Sequence, residues 1–202
     1  LDKEGIANVM LKGIALNWDG FYEVGSRPSK DIDVLVKRKD IEHAYAILKT
    51  NGFFYRNKLV SNKATYIEYS HHLPVMEDGK GTFIELHHRA TAKREYETCP
   101  ITPLIFSSAR KSHKSSFILV PNDTMKYIHA LYHGYKQSNL NLGPLFLHDL
   151  FKLYQSPEID YVEVERLTNS LKLSNQHSEI KEILKSGILP SQKFFQRVQK
   201  TY

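Results

Sequence analysis

Asp31 and Asp33 stand one residue apart in the stretch DIDVLV, and Glu85 lies in the middle of FIELHH. Carboxylates set among Ile, Val and Leu are costly to bury unless something positive accompanies them. DIDVLVK has the two-residue period and β-branched content of a strand, with Ile32, Val34 and Val36 on one face and Asp31, Asp33 and Leu35 on the other. The two acids therefore point the same way, about 7 Å apart along the chain. GTFIELHHR alternates in the same manner and places Glu85 between Ile84 and Leu86. Three carboxylates on adjacent strands form an oxygen cage suited to Mg²⁺, with Mn²⁺ as an alternative, and two such ions can clamp the attacking and leaving oxygens of an in-line phosphoryl-type transfer. The plainer reading makes Asp31 a strand-start residue beside Lys30 and Arg27, with Asp33 exposed on an edge strand. Glu85 is what favours the cage.

Phosphates need donors as well as metal. ANVMLKG reads as a short buried strand ending at Gly13, and IALNWDGFY as a helical turn or two. Lys12 and Gly13 thus fall at a strand-to-helix turn, where glycine allows close backbone approach and free N–H groups follow. Arg27, in the loop EVGSRPSK, can reach a phosphate bidentately, and His87 shares the face of Glu85 two residues away as a substrate contact.

The elements around these residues read as a mixed α/β unit. KDIEHAYAILKTNGF is a helix capped by Asp40, striped by Ile41, Ala44, Tyr45 and Leu48 and ended by Gly52. ATYIEYS and GTFIELHHR read as strands, the second after the turn EDGKG. Helical patterns take over near residue 120: VPNDTMKYIHALYHGY, GPLFLHDLFKLYQ, EIDYVEVERLTNSLKL behind Asp160, and SEIKEILKSG ending on Gly187. The expected organisation is an α/β core over 1–118 and a helical domain over 119–202. The Lys/Arg/Ser/Thr-rich segment 90–116 reads as a mobile or partner-facing connection.

Composition excludes several classes. The chain is ordinary for a globular protein at 41% hydrophobic residues. Cys99 is the single cysteine, which excludes an intrachain disulfide framework and a cysteine-built zinc site and fits a cytoplasmic protein. No apolar run reaches the roughly 20 residues of a membrane span, and LDKEGIANVM lacks a signal peptide's apolar core. The first residue is Leu, so the chain reads as processed or as a fragment. Of the net +6, five charges lie in residues 101–202, as a polyanionic partner or a plain solvated surface would have it.

The order Leu11-Lys12-Gly13, a short helix with Tyr22, Arg27-x-x-x-Asp31-Ile32-Asp33-Val34-Leu35-Val36, a helix, Gly52-Phe53, and Glu85-Leu86-His87 resembles the nucleotidyltransferases of the DNA polymerase β superfamily. It is most similar to a bacterial branch whose members read LKG…R…DIDLLV…ELHW, and the similarity extends into the helical half through His129, His133, HDLFKLY and IDYVEVERL. The resemblance implies an α+β fold: a polymerase β-like nucleotidyltransferase core, a mixed sheet flanked by helices, followed by a C-terminal helical domain. It implies that Asp31 and Asp33 ligate catalytic Mg²⁺, that Glu85 is the third carboxylate and accepts the proton of an attacking hydroxyl, and that an NTP such as ATP is the substrate. Gly13 matches the first glycine of a glycine-serine turn, but Ile14 stands where the serine belongs, leaving Lys12 to supply the contact.

The expected activity is transfer of a nucleoside monophosphate to an unidentified hydroxyl acceptor on a small molecule, RNA or protein, with pyrophosphate released. The alternatives are a catalytically silent nucleotide- or partner-binding module of the same fold, and a toxin that nucleotidylates tRNA or protein. Lys93, Arg94, Arg110, Lys111 and Lys114 are candidates to guide an RNA or phosphorylated acceptor. Tyr127, Tyr132 and Tyr135 are core residues or base-stacking aromatics. The pairs His71-His72 and His87-His88 do not read as zinc-binding, because strand neighbours face opposite ways; His71, His72 and His88 read as structural, and His129 and His133 as packing or base contacts.

Overall fold

The computed structural model describes residues 1–57, 63–91, 100–138 and 143–187. The chain divides into two compact units, Leu1–Pro121 and Asn122–Tyr202.

The first unit is built on a five-stranded mixed sheet. Its strands are β1 (Asn8–Met10), β2 (Ile32–Val36), β3 (Phe54–Tyr55), β4 (Met76–Glu77) and β5 (Phe83–His87), arranged in the order β1-β2-β5-β4-β3. Only β2 and β5 run parallel; the remaining pairs are antiparallel. The parallel pair needs a long crossover. That crossover contains α2 (Ile41–Thr50) and α3 (Lys63–Tyr69), with β3 and β4. The apolar positions of the two central strands, Val34, Val36, Ile84 and Leu86, pack with Ile6, Ile41, Ala44 and Leu73 into one core, so α2 covers one face of the sheet. Helix α2 ends as its sequence predicts, at Asn51 with Gly52 following at φ 88°. Asp40, expected to cap it, makes no side-chain capping bond and instead closes a 3₁₀ turn over Arg38–Asp40.

Three local expectations are corrected. ATYIEYS is the helix α3 rather than a strand: its adjacent residues Tyr66 and Ile67 both reach the core, which strand alternation forbids. The first strand stops at Met10, and Lys12 and Gly13 open α1 (Lys12–Trp18). The basic connection is ordered where it is described, as α4 (Ile101–Ser107) and an antiparallel hairpin of β6 (Ala109–Ser112) and β7 (Ser115–Pro121).

The second unit is helical: α5 (Asp123–Tyr132) running into a π turn over His133–Gln137, then α6 (Pro144–Tyr154), α7 (Tyr161–Ser170) and α8 (Ser174–Ser186). The Asn122 side chain caps α5 by accepting from Met125 N, and Asp160 caps α7 by accepting from Glu163 N. Phe146, Leu147, Leu150, Leu153, Val164, Leu167 and Ile180 form buried stripes at helical spacing. Among the described residues no helix is long and apolar enough to cross a membrane.

Candidate active site

The parallel register of β2 and β5 sets Asp33 opposite Glu85 and Leu35 opposite His87. Since the intervening residues fill the core, Asp33, Glu85 and His87 share the sheet's other face. One ligand atom from each lies within 4.8 Å of the others. Lys12 reaches this group from β1's end, where its backbone takes φ 49° between strand and helix and Leu11 N donates to Asp33 O at 3.0 Å. The Lys12 ammonium donates to Asp33 Oδ1 at 2.6 Å and stands 3.8 Å from Glu85 Oε2. His87 Nε2 is 2.9 Å from Asp33 Oδ1 and 3.4 Å from Glu85 Oε2. An ionised carboxylate only accepts, so Nε2 carries a proton and donates to Asp33. His87 Nδ1 is buried with no hydrogen-bond partner among the described residues.

The electrostatics separate the three acids. Asp33 is 3% exposed, and burial alone pushes its carboxyl up, but the bond from His87 and the charge of Lys12 hold it well below the usual carboxylate range. Glu85 is lowered chiefly by His87. Asp31, one residue before β2 and half-buried, moves the other way: burial, then the charges of Asp33 and Glu85, raise it against the partial relief of Lys12 and His87. Lys12 is raised, because Asp33, Glu85 and Asp31 together outweigh the burial that disfavours its charge. His71 and His72 border the site, their rings 5.5 and 5.1 Å from that of His87; burial holds His71 down to about 3 and so keeps it neutral.

Of the residues expected from sequence, Lys12, Asp33, Glu85 and His87 converge, whereas Asp31 flanks that group from the start of β2. Gly13 serves a purpose the sequence did not disclose. A Cβ at this position would lie 2.0 Å from Arg27 Nη1, so the absent side chain is what lets the guanidinium lie against the start of α1. Arg27 also stands over the Tyr22 ring, 5.7 Å from its centroid. Arg110 and Lys114, candidates for guiding an acceptor, have internal work: Arg110 grips the buried Asp19 carboxylate at 2.9 and 2.8 Å, and Lys114 donates to Tyr22 O. Lys93 and Arg94 lie outside the described residues. Tyr127 and Tyr135 are 1% exposed, with Tyr127 Oη bonded to His177 and Tyr135 donating to Glu179, so they are core residues rather than a base-stacking platform.

Two carboxylates facing each other across adjacent strands, joined by a third at the strand start, hold more negative charge than Lys12 balances. That donor set fits a divalent cation. The chain is similar to the solution structure of the antibiotic-resistance factor ANT(2'')-Ia at 11% identity, covering 90% of this chain and 89% of that one with a TM-score of 0.55. It is also similar to an antigenic nucleotidyltransferase-like protein from Paracoccidioides brasiliensis at 14% identity, covering 92% and 87% with a TM-score of 0.52. The family model of uncharacterised nucleotidyltransferases matches residues 1–182, and the chain belongs to that family. A search of curated proteins finds no match.

Proposed function

We propose that this protein is a divalent-metal-dependent enzyme that transfers a nucleoside monophosphate from an NTP to an acceptor hydroxyl. The observation that carries the reading is the pairing of Asp33 with Glu85 across β2 and β5, with Lys12 and His87 converging on the same oxygens. Asp33, Glu85 and Asp31 would hold the metal, Mg²⁺ or Mn²⁺, which neutralises phosphate charge and lowers the pKa of a bound hydroxyl when present. His87 fixes the Asp33 carboxylate by donating to it. Glu85, at 17% side-chain exposure the more accessible of the paired acids, accepts the proton as the acceptor oxygen forms its bond to the α-phosphorus and the bond to the pyrophosphate oxygen breaks. Lys12 and Arg27 supply positive charge to the triphosphate in place of a serine after Gly13, Arg27 through its two-pronged guanidinium.

The test is to incubate the protein with each α-labelled NTP, Mg²⁺ or Mn²⁺, and a lysate divided into RNA, protein and small-molecule fractions. The reading expects label in one fraction from wild type and none from Asp33→Asn. Equal labelling by the two proteins would overturn it. Growth arrest on expression that requires Asp33 would point to the toxin form of the same chemistry; the internal bonds of Arg110 and Lys114 remove part of the support that form had.

A further inference from the structure

Asp33 and Glu85 already hold a cation of their own, the Lys12 ammonium, at 2.6 and 3.8 Å. A divalent ion bound between the same two carboxylates requires the same oxygen lone pairs, and two cations sharing them repel strongly at such distances. The backbone of Lys12 is not what gives way: Leu11 beside it is fully buried and bonded to the Asp33 carbonyl, and α1 begins at Lys12 itself. The side chain can yield, because it is 26% exposed and has four flexible methylenes. Any anion arriving with the metal offers the displaced ammonium a new partner. Of the anions that accompany a divalent metal, a polyphosphate has the charge to draw it there.

We propose that Lys12 is an exchangeable cation: its ammonium fills the space between Asp33 and Glu85 until metal and polyphosphate arrive together, then moves from carboxylate to phosphate. This rests on the metal-dependent reading above and adds an ordering to it. Metal alone binds weakly because it must evict the ammonium to no benefit. Metal with polyphosphate binds tightly because the evicted ammonium is bonded again.

Two titrations of the full chain test this, with wild type, Lys12→Met, Lys12→Arg and Asp33→Asn. In the first, Mn²⁺ alone is titrated and free Mn²⁺ is read by electron paramagnetic resonance. Lys12→Met should bind Mn²⁺ at least about ten-fold more tightly than wild type, Lys12→Arg should stay near wild type, and Asp33→Asn should lose binding. In the second, preformed Mn²⁺·tripolyphosphate is titrated by calorimetry, and here Lys12→Met should bind more weakly than wild type. The reversal of sign is the signature. Lys12→Met binding Mn²⁺ no better than wild type, while Asp33→Asn loses it, overturns the exchange alone. Equal Mn²⁺ binding by all four proteins overturns the metal site as well. Should Lys12→Met be poorly folded without metal, as two unscreened facing carboxylates would make it, its melting point must rise more with Mn²⁺ than that of wild type; an equal rise overturns the exchange.

Discussion

Each unit of this protein pairs a lysine with a buried aspartate, and the two pairs have different surroundings. In the helical unit Lys126 and Asp123 lie one turn apart on α5 at 2.8 Å, with side chains 4% and 3% exposed, and Asp123 also accepts from Ser156. Both charged groups lie out of reach of water. In the sheet unit Lys12 meets Asp33 at 2.6 Å, but Glu85 and Asp31 add two more carboxylates, and Lys12 and Glu85 remain partly open to solvent. The first arrangement is closed to solvent. The second has surplus negative charge and an open side, the two conditions a cation-binding centre needs. Burial of the aspartate therefore does not distinguish a staple from a site, whereas access to the pair does.

The largest effect that should break the comparison is catalytic. Asp33→Asn should lower nucleotide transfer on the order of a thousand-fold, measured with α-labelled NTP, while circular dichroism stays native. Asp123→Asn should leave the rate per folded molecule unchanged. Next in size is stability: Lys126→Met removes the cation of a buried ion pair and should cost about 3–5 kcal/mol in urea unfolding, with no response to Mn²⁺. A loss of stability that Mn²⁺ restores in Lys126→Met would make the helical pair a second metal centre and erase the contrast.

The two sites were not equally legible. Alternation in DIDVLV and FIELHH exposes the acids because a strand's period is two, so the faces of β2 and β5 could be read directly. What no local pattern contains is that β2 and β5 are neighbours in parallel register, or that Lys12, 21 residues before Asp33 in the chain, returns beside it. Asp19 and Arg110, 91 residues apart, were invisible as a pair for the same reason, and Arg110 read as a candidate guide for an RNA or phosphorylated acceptor. ATYIEYS failed differently. Over seven residues an alternating pattern and a helical one place too few apolar side chains to be told apart, and packing against the core decided for the helix. Gly13 was recognised as special but for another neighbour: the glycine requirement comes from the Arg27 side chain, which sequence spacing cannot place.

That neighbour gives a smaller, sharper test. Gly13→Ala pushes the Arg27 guanidinium away, and a flexible side-chain end can move, so stability should change by less than about 1 kcal/mol. If Arg27 binds the triphosphate, KM for the NTP should rise roughly ten-fold with kcat little changed, and Gly13→Ala added to Arg27→Ala should have no further effect. Additive losses in the double variant would show that Gly13 acts on the nucleotide by itself.

The smallest expected effect separates the acids within the open site by the sign of their pH dependence. Asp31 has a raised carboxyl, so the folded, metal-free chain holds its proton more firmly than the unfolded chain does. Its effect on stability is therefore absent below the ordinary value of 3.8 and turns unfavourable as pH climbs through the raised value. Asp33 is lowered; its favourable contribution is complete above 3.8 and fades as pH falls below it. In EDTA at pH 7, Asp31→Asn should accordingly raise the melting point by about 1–2 °C, since half-exposure screens the repulsion it relieves, whereas Asp33→Asn should lower it. At pH 3 both differences should shrink, that of Asp31 the more completely because Asp33 stays largely ionised there. Saturating Mn²⁺ should invert the first result at pH 7: a bound divalent ion turns Asp31 from a repelled charge into a ligand, and Asp31→Asn then melts below wild type. Melting points for Asp31→Asn that lie above wild type in both EDTA and Mn²⁺ would remove Asp31 from the metal's ligands and leave Asp33 and Glu85 as the donor set.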